Sequence, residues 1–135
     1  MKALSIRPPW AWAILHAGKN IENRTWKTSR RGVIAVHSSQ TMSRTYYERS
    51  VEEIKKTAPR AKVPPYDEMV RGAIVGLVDI PDCKDQTESK WHISDNYGFV
   101  LANPRVLRRP IPCNGRLSFW EVPDSIARRV SRQLK

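Results

Sequence analysis

The sequence predicts an α+β domain, a small mixed β-barrel of five or six strands with helices inserted around it. Three observations carry this. Short β-branched and aromatic runs recur along the chain, bounded by Pro, Gly and Asn turn signals. Helical patterning is confined to a stretch near the start, a central segment and the C-terminus, without the regular strand–helix alternation of a doubly wound sheet. The 135 residues, 40% hydrophobic and 27% charged, suffice for one core, so residues 1–135 form a single domain.

Ala3-Leu4-Ser5-Ile6 is expected as an edge strand, ended by Arg7-Pro8-Pro9. Proline is accepted in the first turn of a helix and not deeper, so Pro8 and Pro9 predict a helix over Trp10 to Ala17, with Gly18 its left-handed stop. Trp10, Ala11, Ala13, Ile14 and Leu15 make it apolar almost all round, which predicts burial, while Trp12 and His16 share the more exposed face. Val33 to His37 is a β-branched run expected as a central strand. Ser38 and Ser39 after it either present hydroxyls to a pocket or start the next turn.

Residues 41–70 read as a helical insert. Tyr46, Tyr47, Val51 and Ile54 give one apolar stripe over Thr41 to Thr57, Pro59 stops it, and a short helix through Asp67 to Val70 follows a linker. Gly72 to Ile80 is the clearest strand, with Gly76 marking a bulge or a close backbone approach and Pro81-Asp82-Cys83 as its end. The polar loop from Lys84 to Asn96 has Trp91 as its only large apolar anchor. Tyr97 to Leu101 is a strand closed by Asn103-Pro104. Val106 to Pro112 is extended because proline excludes helix, and its Arg108 and Arg109 suit a sheet edge facing a phosphate backbone. Beyond the Asn114-Gly115 turn, Leu117 to Val122 gives the last strand. Asp124 caps a basic C-terminal helix over residues 124–135.

The stretch from Gly18 to Trp26 carries the functional signal. It holds Lys19, Glu22 and Arg24 within six residues, more charge of mixed sign than solubility requires. In an extended chain Glu22 and Arg24 point one way, Ile21 the other way toward the core, and Lys19 at the helix exit can swing to join the pair. This predicts a polar triad at the mouth of a cleft.

Net charge is +11, with 24 Lys and Arg against 13 Asp and Glu, and the sequence pI is about 10.2. Such an excess favours a polyanionic partner, most simply nucleic acid, over a surface that is basic only for solubility. Cys83 and Cys113 match no paired zinc pattern, and His16, His37 and His92 are scattered. No metal and no cofactor are expected. No membrane span or signal peptide is evident, so the expectation is a cytoplasmic protein.

The ordered set of motifs resembles the ASCH-domain family of the PUA-like superfamily. The resemblance rests on Leu4-Ser5-Ile6-Arg7-Pro8-Pro9-Trp10-Ala11, on Lys19, Glu22 and Arg24 in the family's lysine–glutamate–arginine spacing, and on Arg31-Gly32 with the strand ending in His37. It continues through Gly72 to Cys83, Phe99 to Leu101, Asn103-Pro104, Pro110-Ile111-Pro112, Gly115 and Phe119-Trp120. It implies a PUA-like barrel with a cleft beside the first helix, lined by Lys19, Glu22 and Arg24, and RNA as ligand. One branch of this fold hydrolyses an acetylated cytidine with a lysine and a threonine three residues later. Lys19 matches that lysine, whereas Glu22 stands at the threonine position.

Two functions of the same residues follow, with a third beside them. As a binder, the chain takes a base or strand end of RNA or single-stranded DNA into the cleft. Arg7, Arg108, Arg116, Lys19 and Arg24 then meet phosphate or carbonyl oxygens, Ser38 offers a hydroxyl, and Trp10, Trp26 or Tyr97 stacks on a base. The alternative for the tryptophans, Trp10 and Trp120 above all, is core packing. As a hydrolase, a ribonuclease or an amidohydrolase acting on a modified nucleoside, Lys19 serves as base or nucleophile and Glu22 shuttles a proton. The alternative for Glu22 is a salt bridge that orients Arg24. The third class is a protein-interaction module of a co-activator type.

Overall fold

The structure is a computed structural model that describes residues 1–134. Its strands are β1 (Lys2–Ile6), β2 (Ile21–Arg24), β3 (Gly32–Ser38), β4 (Ala73–Lys84), β5 (Tyr97–Pro112) and β6 (Phe119–Glu121). Its helices are α1 (Trp10–His16), α2 (Arg44–Thr57) and α3 (Asp124–Gln133), with a 3-10 turn over Tyr66–Glu68. The strands form one curled sheet in the order β2-β5-β4-β3-β1-β6. Only β1 and β3 pair in parallel; the other ladders are antiparallel. The result is the expected mixed α+β architecture, a half-barrel with a seam between the edge strands β2 and β6.

Side chains alternate across this sheet and supply a core on each face. Leu4, Ile6, Ile34, Val36, Val78 and Ile80 meet Ala11 and Ile14 of α1 on one face. Ala3, Ala35, Leu77, Leu107 and Ile111 meet Trp120 and Val130 on the other, under α3. Ile74 and Leu77 share a face although they are three apart, because the register shifts between Ile74 and Gly76 and the pleat skips a beat there. Gly76 also makes the close approach expected of it: a Cβ there would stand 2.5 Å from the Arg105 carbonyl oxygen and 2.8 Å from Leu15.

Several boundaries differ from the sequence expectation, each for a local reason. β1 is no edge strand; β3 flanks it on one side, and β6 returns from far along the chain to cover the other. The outermost strands are β2 and β6, both short, and β2 covers only the first part of β5. Pro81 does not end β4, since β3 stops pairing at Ile80 and the ladder to β5 resumes at Asp82, so no hydrogen bond waits for a proline N–H. Asn103-Pro104 does not close β5 either: Asn103, at φ +54°, and Pro104 sit where the register against β4 jumps, so they form a bulge within one long strand.

The last strand is shorter than Leu117 to Val122, because Ser118 is left-handed at φ +57° and Leu117 projects into solvent. Helix α2 begins at Arg44 rather than Thr41, where the Ser43 Oγ accepts from the Tyr46 amide at 3.1 Å. Asp124 lies inside the first turn of α3 with no capping bond, placed to favour the positive end of the helix dipole. The left-handed stop at Gly18 (φ +74°) stands as the sequence indicates.

Gly76→Ala is expected to cost about 1–3 kcal/mol in chemical denaturation, the range for overpacking a close-packed site. An unchanged midpoint would show that β4 and β5 can separate there without strain.

Candidate functional site

Strand β2 sets Glu22 and Arg24 on one side and sends Ile21 into the core. Arg24 Nε donates to Glu22 Oε2 at 2.9 Å, and Lys19 Nζ to Glu22 Oε1 at 3.1 Å. The Lys19 ammonium also donates to the Ile21 carbonyl at 2.5 Å and lies 5.7 Å from the Trp10 ring centre. Lys19 and Glu22 are only 5% and 7% exposed. A buried carboxylate needs such partners, because an unpaired charge out of water costs several kcal/mol. Arg24 then reaches over the seam: its Nη2 donates to the Ser5 carbonyl of β1 at 3.0 Å. The predicted triad therefore converges and joins the two ends of the half-barrel.

It opens into a hollow of about 930 Å³. Ser5, Arg7 and Trp10 form one wall together with the triad. Helix α2 supplies a second wall through Tyr46, Arg49, Ser50 and Glu53. The loops at Lys90–Ile93 and Arg116–Ser118 complete the rim. Six cations line the hollow (Arg7, Lys19, Arg24, Arg49, Lys90, Arg116) against two carboxylates, Glu22 and Glu53. Arg7 lies over the Tyr46 ring at 5.0 Å.

Of the residues the sequence singled out, Arg7, Trp10, Lys19, Glu22, Arg24 and Arg116 meet at this hollow, and four others do not. Trp26 packs edge-on against Phe99 and Phe119, with ring centres at 5.1 and 5.9 Å, and fills the seam instead of facing a ligand. Ser38 is buried with its hydroxyl on the Val70 carbonyl at 2.7 Å; its neighbour Ser39 is the one at the hollow. Tyr97 pairs opposite Arg24 on β5 and packs on the core. Arg108 is exposed on the far half of β5, beyond the reach of β2, and does not line the hollow.

Sequence reasoning missed Tyr46 and Arg49 of the insert and the whole Lys90–Ile93 segment. The signal for the latter lay in the two asparagines of the charged stretch. Asn23 Nδ2 donates to the Trp91 carbonyl and its Oδ1 accepts from the Ile93 amide, both at 2.9 Å. Asn20 Oδ1 accepts from the Ser89 hydroxyl. Trp91 itself is buried against Ala13, Ile21 and Ile54, which ties the loop, α1, β2 and α2 together.

Behind the hollow, His37 is buried between Ser5 and Cys113. A carbonyl only accepts, so Nε2–H donates to the Cys113 oxygen at 2.6 Å and Nδ1 accepts from the Ser5 hydroxyl at 3.0 Å. The Trp120 indole donates to that same Ser5 oxygen at 3.1 Å. Burial pushes the imidazole below its ordinary 6.5, opposed by the hydrogen bond to Cys113. Among the described residues no three His, Cys, Asp or Glu side chains are grouped to hold a metal ion. No helix of the described residues is long and apolar enough to cross a membrane.

Residues 4–109 match the family model of the ASCH domain. Over 141 aligned residues the chain is 24% identical to activating signal cointegrator 1 of Homo sapiens and 23% identical to that of Mus musculus. Each alignment covers 97% of this chain and 24% of the relative, so the chain spans about a quarter of the length of these relatives.

Two outcomes follow from this geometry. Glu22→Gln keeps the shape but leaves Lys19 buried without its carboxylate, and is expected to cost ~3–5 kcal/mol of unfolding free energy; a urea midpoint equal to wild type would mean the pair is not buried as described. For His37 the direction is set by protonation of the unfolded chain. As pH falls through the ordinary value of 6.5 the unfolded state gains a proton and the folded state resists, so stability drops below that pH and is unaffected above it. The drop should be smaller in His37→Gln; parallel pH profiles for the two proteins would remove His37 as its source.

Proposed function

Because the chain belongs to the ASCH-domain family, we propose that it binds nucleic acid, RNA or another single strand, with a base or strand end in the hollow and phosphates on its basic rim. The family is in general RNA-binding. The hollow falls in the size range of small-ligand sites. The observation that carries the reading is the state of the rim cations: Arg7, Arg49, Lys90 and Arg116 have no carboxylate within ion-pair distance among the described residues. They come from four separate segments and line the hollow together with Trp10 and Tyr46, a combination suited to phosphates and a stacked base.

The triad's wiring favours binding over hydrolysis. Both Glu22 oxygens are taken, one by each cation, so Glu22 holds Arg24 in place rather than shuttling a proton. The Lys19 ammonium is committed to Glu22 and to the Ile21 carbonyl, which opposes a role as base or nucleophile. Arg24 uses Nε on Glu22 and Nη2 on Ser5, and its remaining guanidinium edge is available for a planar acceptor. The co-activator reading draws on the cointegrator relatives and on Ile93 and Leu117 at the rim, the latter 95% exposed.

Fluorescence anisotropy with labelled single-stranded RNA tests the proposal. Affinity should fall linearly on a log–log plot against salt, and Trp10→Leu should weaken binding by ~1–3 kcal/mol, the worth of one base stack. Flat salt dependence would sink the nucleic-acid reading and leave the protein-interaction one.

A further inference from the structure

The chain's positive charge is not confined to the hollow. On the other face of the sheet, α3 docks by Val130, Ile126 and Ala127 onto Leu107, Ile111 and Trp120. The two elements are locked by one side chain: Gln133 Oε1 accepts from the Arg109 amide at 3.0 Å, and Gln133 Nε2 donates to the Arg109 carbonyl at 2.9 Å. Gln133 thereby takes the place of a further strand along the edge of β5 that β2 leaves open. The lock sets the outer surface of α3, which carries Arg128, Arg129 and Arg132, alongside the β5 segment that carries Arg108 and Arg109. All five are exposed, and none has a carboxylate within ion-pair distance among the described residues.

We propose that this α3–β5 face is a second, sequence-independent contact for a nucleic-acid backbone, on the side of the sheet away from the hollow. It extends the nucleic-acid reading above and does not depend on the hollow's ligand. Three features select a phosphate backbone as the partner. Arginine forks match phosphate oxygens bidentately and stay charged at any working pH. Arg128 and Arg132 lie one turn apart, about 6 Å along the helix axis, a spacing that lets successive phosphates be met from a rigid support. No Trp, Tyr or Phe occurs in Arg105–Pro112 or in α3, so the face offers neither a stacking platform for bases nor the aromatic anchor that protein partners favour. The helix is already docked by Gln133 and Val130, so binding there needs little ordering of the chain.

The test uses the full chain and two probes, a labelled RNA hexamer whose end can enter the hollow and a labelled 30-nucleotide RNA, each titrated at several salt concentrations. Arg128→Gln/Arg129→Gln/Arg132→Gln keeps good helix formers at exposed positions, and its fold is checked by circular dichroism melting. For the long RNA the magnitude of the log–log salt slope should fall by about 2 units, close to 0.7 for each of three phosphates, with affinity down ten-fold or more. Binding of the hexamer should stay within two-fold of wild type. Arg108→Gln/Arg109→Gln should independently weaken the long RNA.

Long-RNA affinity and slope unchanged in both variants would overturn the proposal and leave the hollow intact. Equal losses on both probes would also overturn it, since the face would then not be a separate contact. If wild type fails to bind the hexamer but holds the long RNA through these arginines, the hollow reading falls and this one stands. Arginine-dependent binding to phosphatidylserine vesicles without any binding to the long RNA would assign the face to a membrane surface and overturn it.

Discussion

A carboxylate buried between two cations is the constraint on which the rest of this fold depends. Glu22 is satisfied only when Lys19 comes off the end of α1 and Arg24 lies beside it on β2, and Arg24 has its second partner across the seam on β1. Breaking either ion pair would leave charge stranded out of water, so the exit of α1, the short edge strand β2 and the carbonyl of Ser5 are fixed together. That closure is polar on one side and aromatic on the other, where Trp26 wedges against Phe99 and Phe119. The same three charged side chains that draw attention as a site are thus first a structural clasp. Beyond those bonds, all three line the hollow.

The hollow itself is made by segments that are not part of the sheet. Helix α2 leans in through Ile54, which packs with Ala13, Ile21 and Trp91, and the loop after β4 is laid down on β2 by the two asparagines. Loops and an inserted helix on a rigid scaffold are where a fold of this kind can vary its ligand at small cost to the core. The rim cations of the hollow come from these two segments, from the turn after β1 and from the loop between β5 and β6. Charge is therefore displayed on elements that the clasp and the apolar anchors hold in place.

The remaining excess of positive charge collects on the opposite face, along α3 and the outer half of β5. The two regions differ in chemistry. The hollow mixes cations with Trp10 and Tyr46, whereas the α3–β5 face has arginines without aromatic neighbours in its own segments. The first combination suits an unstacked base with its phosphates and the second suits backbone alone. The net charge of +11 is thus distributed over two regions of different chemistry.

Much of this was legible from the residues. Alternation placed Glu22 with Arg24 and Ile21 in the core, prolines set the start of α1, Gly18 its end, and Gly76 its close contact, because each of these is a local rule about φ, ψ or side-chain direction. Pairing was not legible. Nothing local says that β6 returns to cover β1, that Pro81 and Pro104 fall where no ladder bond is required, or that Trp26 turns into the seam while Ser38 turns onto Val70. Nor does spacing along the chain bring Arg49, Lys90 and Arg116 to one rim, or Gln133 onto the backbone of Arg109. Those are contacts between residues tens of positions apart, and only tertiary packing, by choosing which polar groups must find partners out of water, decides them.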